Sequence, residues 1–266
     1  MNRQDAEELK IFQQTLSPKE GEIYHLRFGP LDLYIEKSEN EISVRSMTSN
    51  DWMDSSFHFH YPFEGMCPQN LLEEKRFAFS DKSPTLKILP CLGELPFVVK
   101  PDTKFMILPG EKAKIFLSTP MSLRIYDVEK NQVIDEIPVL HRVKTWFGQS
   151  PTAGQLCFFT KIHAALVEER LPFRPHRALT HLFIENSSHE PISVHKLKIP
   201  VNYLKLYQDM RGLFLTSSLS VKSDRQGELK DLKIFPHDDA GKLILIQEPR
   251  EQAPRRLFKS VTELMR

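Results

Sequence analysis

The chain has 266 residues with 36 basic and 35 acidic side chains, a formal net charge of +1, so no chain-wide field would hold a nucleic-acid backbone or an anionic membrane. At 40% hydrophobic and 27% charged residues it has a folding composition, which excludes disordered and collagenous classes. Ten glycines stand beside 19 prolines, a ratio that favours many short strands punctuated by proline.

Asp5 with Glu8 forms a capping box, and Ala6, Leu9, Phe12 and Leu16 follow at helical spacing, which predicts a short opening helix. From Glu22 the period changes to two. Strands are predicted over 22–28, 31–36, 41–47, 57–61, 76–79, 85–89, 104–108, 112–118, 122–126, 132–137 and 143–147, with Pro84, Pro90, Pro96, Pro101, Pro109, Pro120 and Pro138 between the runs. Gln155–Ile162 alternates like a strand and 161–170 spaces Ile162, Ala165, Leu166 and Glu169 like a helix, so a strand running into a short helix is expected. Leu171-Pro172-Phe173-Arg174-Pro175 has the composition of a linker. Beyond it, 178–185 and 192–199 on either side of the polar turn 186–190 predict a hairpin, and further strands are expected over 203–207, 213–221, 229–235 and 242–247.

Many short strands without βαβ alternation predict a mainly β chain of two tandem antiparallel β-sandwich-like domains with short terminal helices. The boundaries expected are 1–170, 176–250 and a C-terminal amphipathic helix over 251–266.

Several phrases in this order, Leu89-Pro90, Leu95-Pro96-Phe97, Lys104 to Gly110, Leu117 to Pro120, Trp146-Phe147-Gly148, Gly154 to Phe158 and Ile184 to Ile192 followed by Ile199-Pro200, carry a resemblance. The chain resembles the prokaryotic domain-of-unknown-function family numbered 432 over about residues 20 to 247. The resemblance implies no established activity, ligand or catalytic residue. Members lying beside genes for small-conductance mechanosensitive channels would imply a membrane-protein partner.

No two glycines are spaced as in a dinucleotide-binding turn or a P-loop, and the hydrolase-elbow, zinc-protease and calcium-loop patterns are absent. Ser193 and Lys196 match S-x-x-K on an expected strand, where that chemistry needs a helical turn. His58 and His60 alternate on a strand and so aim two imidazoles one way, with Glu64 as a third donor; the spacing resembles the first cupin motif, although Trp52 and Leu71 stand where cupins place glycines. This is the candidate site for one divalent transition metal and a metal-dependent enzyme. The alternative is a pair of surface histidines on a strand whose other side buries Phe57, Phe59 and Tyr61, with no cofactor. Trp146 and Phe147 anchor a loop-like stretch, read either as a buried corner or as an exposed grip.

Cys67, Cys91 and Cys157 form no C-x-x-C pair and suit a reducing compartment. Met1–Glu8 lacks the order of a signal peptide, and no run of about 18 apolar residues occurs, so a cytoplasmic chain without a transmembrane segment is expected. In the last stretch Leu257, Phe258 and Val261 recur at helical spacing while Arg255, Arg256 and Lys259 take other positions. These six residues are the candidate partner-binding set. The expected function is a non-enzymatic binding or accessory protein that docks on an unknown protein partner, with no nucleic acid.

Overall fold

In a computed structural model, residues 9–253 are described apart from 66, 68–72, 80–83, 102–103, 151–152 and 195. The segment IYHLRF shows why the chain is β. Tyr24, Leu26 and Phe28 turn inward while His25 and Arg27 turn away, a period of two that only an extended strand satisfies.

The chain divides into two compact units that are discontinuous in sequence. The first comprises residues 1–91, 120–141 and 173–176, the second 92–119, 142–172 and 177–266. The sequence reading drew one boundary near 171–175. Within that segment Leu171 is half-buried and Pro172 and Phe173 are exposed, whereas Arg174 is only 6% exposed and donates to the Met53 carbonyl oxygen.

The first unit holds β1 (Ile23–Phe28), β2 (Leu31–Ser38), β3 (Glu41–Thr48), β4 (Phe57–His60), β5 (Glu73–Ala78) and β6 (Leu86–Cys91), together with β10 (Ser122–Asp127) and β11 (Gln132–Pro138). β1–β5 form an antiparallel sheet in the order β4-β1-β2-β3-β5, and β11-β10-β6 form a second. Phe12, Phe28 and Phe57 meet edge to face at 5.4 to 5.8 Å and anchor the core, each buried ring contributing about 1.5 to 3 kcal/mol. Gly29 closes the β1–β2 turn at φ +58, and a Cβ there would lie 2.2 Å from His176 Nδ1, so both conformation and space demand glycine. Pro90 sits inside β6 rather than between strands. This is tolerated because β6 is the edge of its sheet.

The second unit holds β7 (Phe97–Pro101), β8 (Phe105–Ile107), β9 (Lys112–Pro120), β12 (Val143–Ser150), β13 (Ala153–Ile162), β14 (Ala164–Ala165), β15 (Arg177–Glu185), β16 (Ile192–Val194), β17 (Leu197–Ile199), β18 (Leu206–Gln208), β19 (Phe214–Thr216), β20 (Ser218–Ser223), β21 (Leu229–Phe235) and β22 (Ile244–Gln247). Its largest sheet runs β14-β9-β15-β19-β18-β22 with β20 and β21 branching from β15; β12-β13-β7-β17 and β16-β8 form smaller ones. Most pairs are antiparallel, but β7 runs parallel to β13, and β15 parallel to β19 and β20.

The expected hairpin over 178–199 does not form. β15 pairs with β19 and β20, whereas β16 joins β8 and β17 joins β7. The reason is the intervening turn, where the buried Asn186 amide donates to the carbonyl oxygens of Ile107 and Glu190 and so ties the chain to β8 instead of folding it back. The helices expected at 5–16 and 161–170 are also corrected where described: residues 9–13 and 168–170 are 3-10 turns, and Ala164–Ala165 is a strand. Mainly β architecture is confirmed, and no helix of the described residues is long and apolar enough to cross a membrane.

Candidate binding groove

An open apolar concavity lies in the second unit, between β8 and β14. In β8, Phe105 and Ile107 turn inward, which leaves Met106 outward and 62% exposed, and Leu108 follows at 59%. The chain then reverses at Pro109-Gly110, where Gly110 takes φ +76 and the Glu111 amide donates to the Leu108 carbonyl oxygen. β9 carries it away again. β14 pairs with β9 through Ala164 and Leu117, and through Ala165 and Phe116. Ala113, Ala164 and Ala165 line the space between the two strands, and their small side chains leave a depression of about 630 Å³. Leu166, 54% exposed, forms the lip beyond β14. That volume is in the range of sites that bury a ligand, and exposed apolar residues grouped around a hollow mark a contact surface.

The rim is cationic. Lys104, Lys112 and Arg170 border the depression against one carboxylate, Glu111. Lys112 lies 3.5 Å from Glu185 with its side chain largely in water, whereas neither Lys104 nor Arg170 has an ion-pair partner among the described residues. Sequence reasoning missed this site. The strand at 104–108 was legible, but reading 161–170 as helix hid the second wall.

The residues singled out from the sequence fall elsewhere. His58 and His60 both lie exposed on β4 and do share a side, their rings 6.3 Å apart. The register sets His58 opposite Arg27 and His60 opposite His25, and Glu64 is exposed beyond the Tyr61–Pro62 bond, which is cis. Among the described residues no three His, Cys, Asp or Glu side chains are arranged to hold a metal ion. On the other side of β4, Phe57 is buried, Phe59 half-buried, and Tyr61 stacks on Tyr24 at 3.9 Å. Trp146 is 46% exposed while Phe147 is buried, so the aromatic pair divides between the two readings it allowed. Gly154 lies against Trp146 so closely that a Cβ would stand 2.3 Å from its indole nitrogen. Cys91 and Cys157 are buried and Cys67 half-buried, and none of the three forms a disulfide among the described residues.

Arg255, Arg256, Leu257, Phe258, Lys259 and Val261 lie outside the described residues. The chain leading to them is pinned: Gln247 Oε1 accepts from the Leu92 amide at 2.7 Å, and the Arg250 guanidinium donates to the Leu92 carbonyl oxygen at 2.8 Å.

Two buried clusters in the second unit perturb titration without opening to the groove's lining. His181, 5% exposed, meets His237 ring to ring at 4.6 Å. Burial, with Lys114 adding to it, lowers His181 to about 4, and burial lowers His237 as well. The His237 Nδ1 accepts the Asp239 amide, which leaves the ring proton on Nε2 and removes that ring from metal ligation in its neutral form. Lys198 is buried against Phe147 near Cys157; burial lowers it to about 8.

No curated protein and no solved structure matches the chain. The family model described as a protein of unknown function, DUF432, matches residues 12–266, nearly the whole length, and the chain belongs to that family.

Proposed function

We propose that the chain is a non-enzymatic binding protein that docks on a protein partner and seats an extended apolar segment of it in the groove between β8 and β14. The observation that carries this reading is the exposure of Met106, Leu108 and Leu166 around one depression, apolar area that a lone soluble chain gains nothing by leaving in water. Leu257, Phe258 and Val261, flanked by Arg255, Arg256 and Lys259, supply a second contact in the same reading.

The test is selection of a displayed library of short extended peptides on the purified chain, repeated on a Leu108→Glu, Leu166→Glu variant. Peptides enriched by the parent chain and lost by the variant, with an unchanged melting temperature, support the reading. Enrichment that is equal on both chains, or absent from both, overturns it.

A further inference from the structure

We infer that the segment this groove takes is acidic, an extended peptide whose carboxylates flank its apolar side chains. The inference rests on the binding reading above and goes on to specify the partner's chemistry.

The first argument is charge. Three cations and one carboxylate border the depression, an excess of two positive charges in a chain whose total is +1. Two of the three, Lys104 and Arg170, have no ion-pair partner among the described residues. On the sheet of the first unit, by contrast, Arg27, Arg45, Lys75 and Arg76 are all paired. A carboxylate brought beside Lys104 or Arg170 over an apolar floor is screened less than one in open water, so charge matching there contributes to affinity and to the choice of partner.

The second argument excludes the nearest competitor. The chain's own segment 254–266 carries Leu257, Phe258 and Val261 and would suit the floor, but it also carries Arg255, Arg256, Lys259 and Arg266 against Glu263 alone. Its net +3 would meet a rim of the same sign. The third argument is shape: both walls are strands, and the small side chains of Ala113, Ala164 and Ala165 leave a hollow between them that suits an extended segment.

The experiment uses the full chain and fluorescein-labelled synthetic peptides that share alternating leucines and differ only in the intervening residues, glutamate, glutamine or lysine, followed by fluorescence anisotropy at low and high salt. The glutamate peptide is expected to bind at least about tenfold more tightly than the glutamine one at low salt. That advantage should shrink at high salt and disappear in a Lys104→Gln, Arg170→Gln variant that still binds the glutamine peptide. Equal binding of all three peptides, each lost in Leu108→Glu, keeps the groove as a binding site and overturns the acidic preference. Tighter binding of the lysine peptide overturns it too. Glutamate-peptide binding that survives Leu108→Glu places the acidic site elsewhere and also overturns the inference. If no peptide binds, the reading beneath it falls as well. The same holds if laurate alone binds, which would make the occupant a small amphiphile.

Discussion

The polar face of the five-stranded sheet and the rim of the groove carry the same residue types in opposite states. On the sheet, Asp32 is buried between His25, whose Nε2 donates to it at 2.9 Å, and Arg27, which also reaches Asp54. Burial works to raise Asp54, but the Ser56 and Arg27 donors outweigh it and hold that carboxyl at about 2. Arg45 bridges Glu36 and Glu74 across three strands, and Tyr34 stacks on His25 at 4.5 Å. Every one of these charges has an answer within its own unit. At the groove, Lys104 and Arg170 have no ion-pair partner among the described residues and stand beside exposed Met106, Leu108 and Leu166. Charges that a fold needs for itself are neutralised and partly desolvated. Charges left solvated beside apolar surface contribute little to the fold and are available to something else.

That contrast is open to breakage by mutation. Asp32→Ala removes the carboxylate that His25 and Arg27 share and leaves the half-buried Arg27 with Asp54 alone, which should cost about 3 kcal/mol by chemical denaturation, while Lys104→Ala and Arg170→Ala should each stay within about 0.5 kcal/mol. If Asp32→Ala were equally mild, the sheet's ion pairs would be surface decoration and the distinction would be lost.

Acid titration sharpens it from the other unit. Folding lowers His181 from the ordinary value of 6.5 to about 4, so between those values the unfolded chain binds the proton that the folded chain refuses. Stability is therefore complete above pH 6.5 and falls as the pH descends towards 4, by up to about 3 kcal/mol from this residue. His237 acts in the same direction. His181→Phe should flatten that slope; an unchanged slope would assign the acid sensitivity to another group.

The two glycine turns give a third comparison. Gly29→Ala must both hold a positive φ and displace His176, and should cost about 2 to 3 kcal/mol, whereas Gly110→Ala meets open space and should cost about 1. Equal losses would mean that strain alone, not the histidine, fixes Gly29. The smallest effect is expected from ending the chain after Ala253, which keeps the Gln247 and Arg250 contacts to Leu92 and should shift the melting temperature by less than about 2 °C. A large fall would make the last residues part of the core and withdraw Leu257, Phe258 and Val261 from the binding reading.

Much of the fold was legible because strand burial imposes a period of two. β1 to β3, β9 to β11 and β21 fall within a few residues of their expected limits. β7 escaped because Pro96 and Pro101 stand at its ends, and a run so short between prolines reads as a loop. The hairpin error at 178–199 has a different origin. Local spacing shows that two strands flank a turn, but the turn's fate was decided by Asn186 reaching Ile107, 79 positions away. The groove was illegible for the same reason: its second wall is set by pairing of β14 with β9, and nothing near Ala164 announces that partner.

The discontinuous division of the chain also bears on how it is made. The first unit incorporates β10, β11 and residues 173–176, so a ribosome must pass residue 176 before that unit has all its parts. By then residues 92–119 and 142–172 of the second unit have already been made, without the strands still to come. Synthesis in order from the first residue therefore cannot complete one unit before beginning the other. Part-made strand edges of the second unit wait exposed in the meantime, and this interval is when the nascent chain is most open to aggregation and to chaperones.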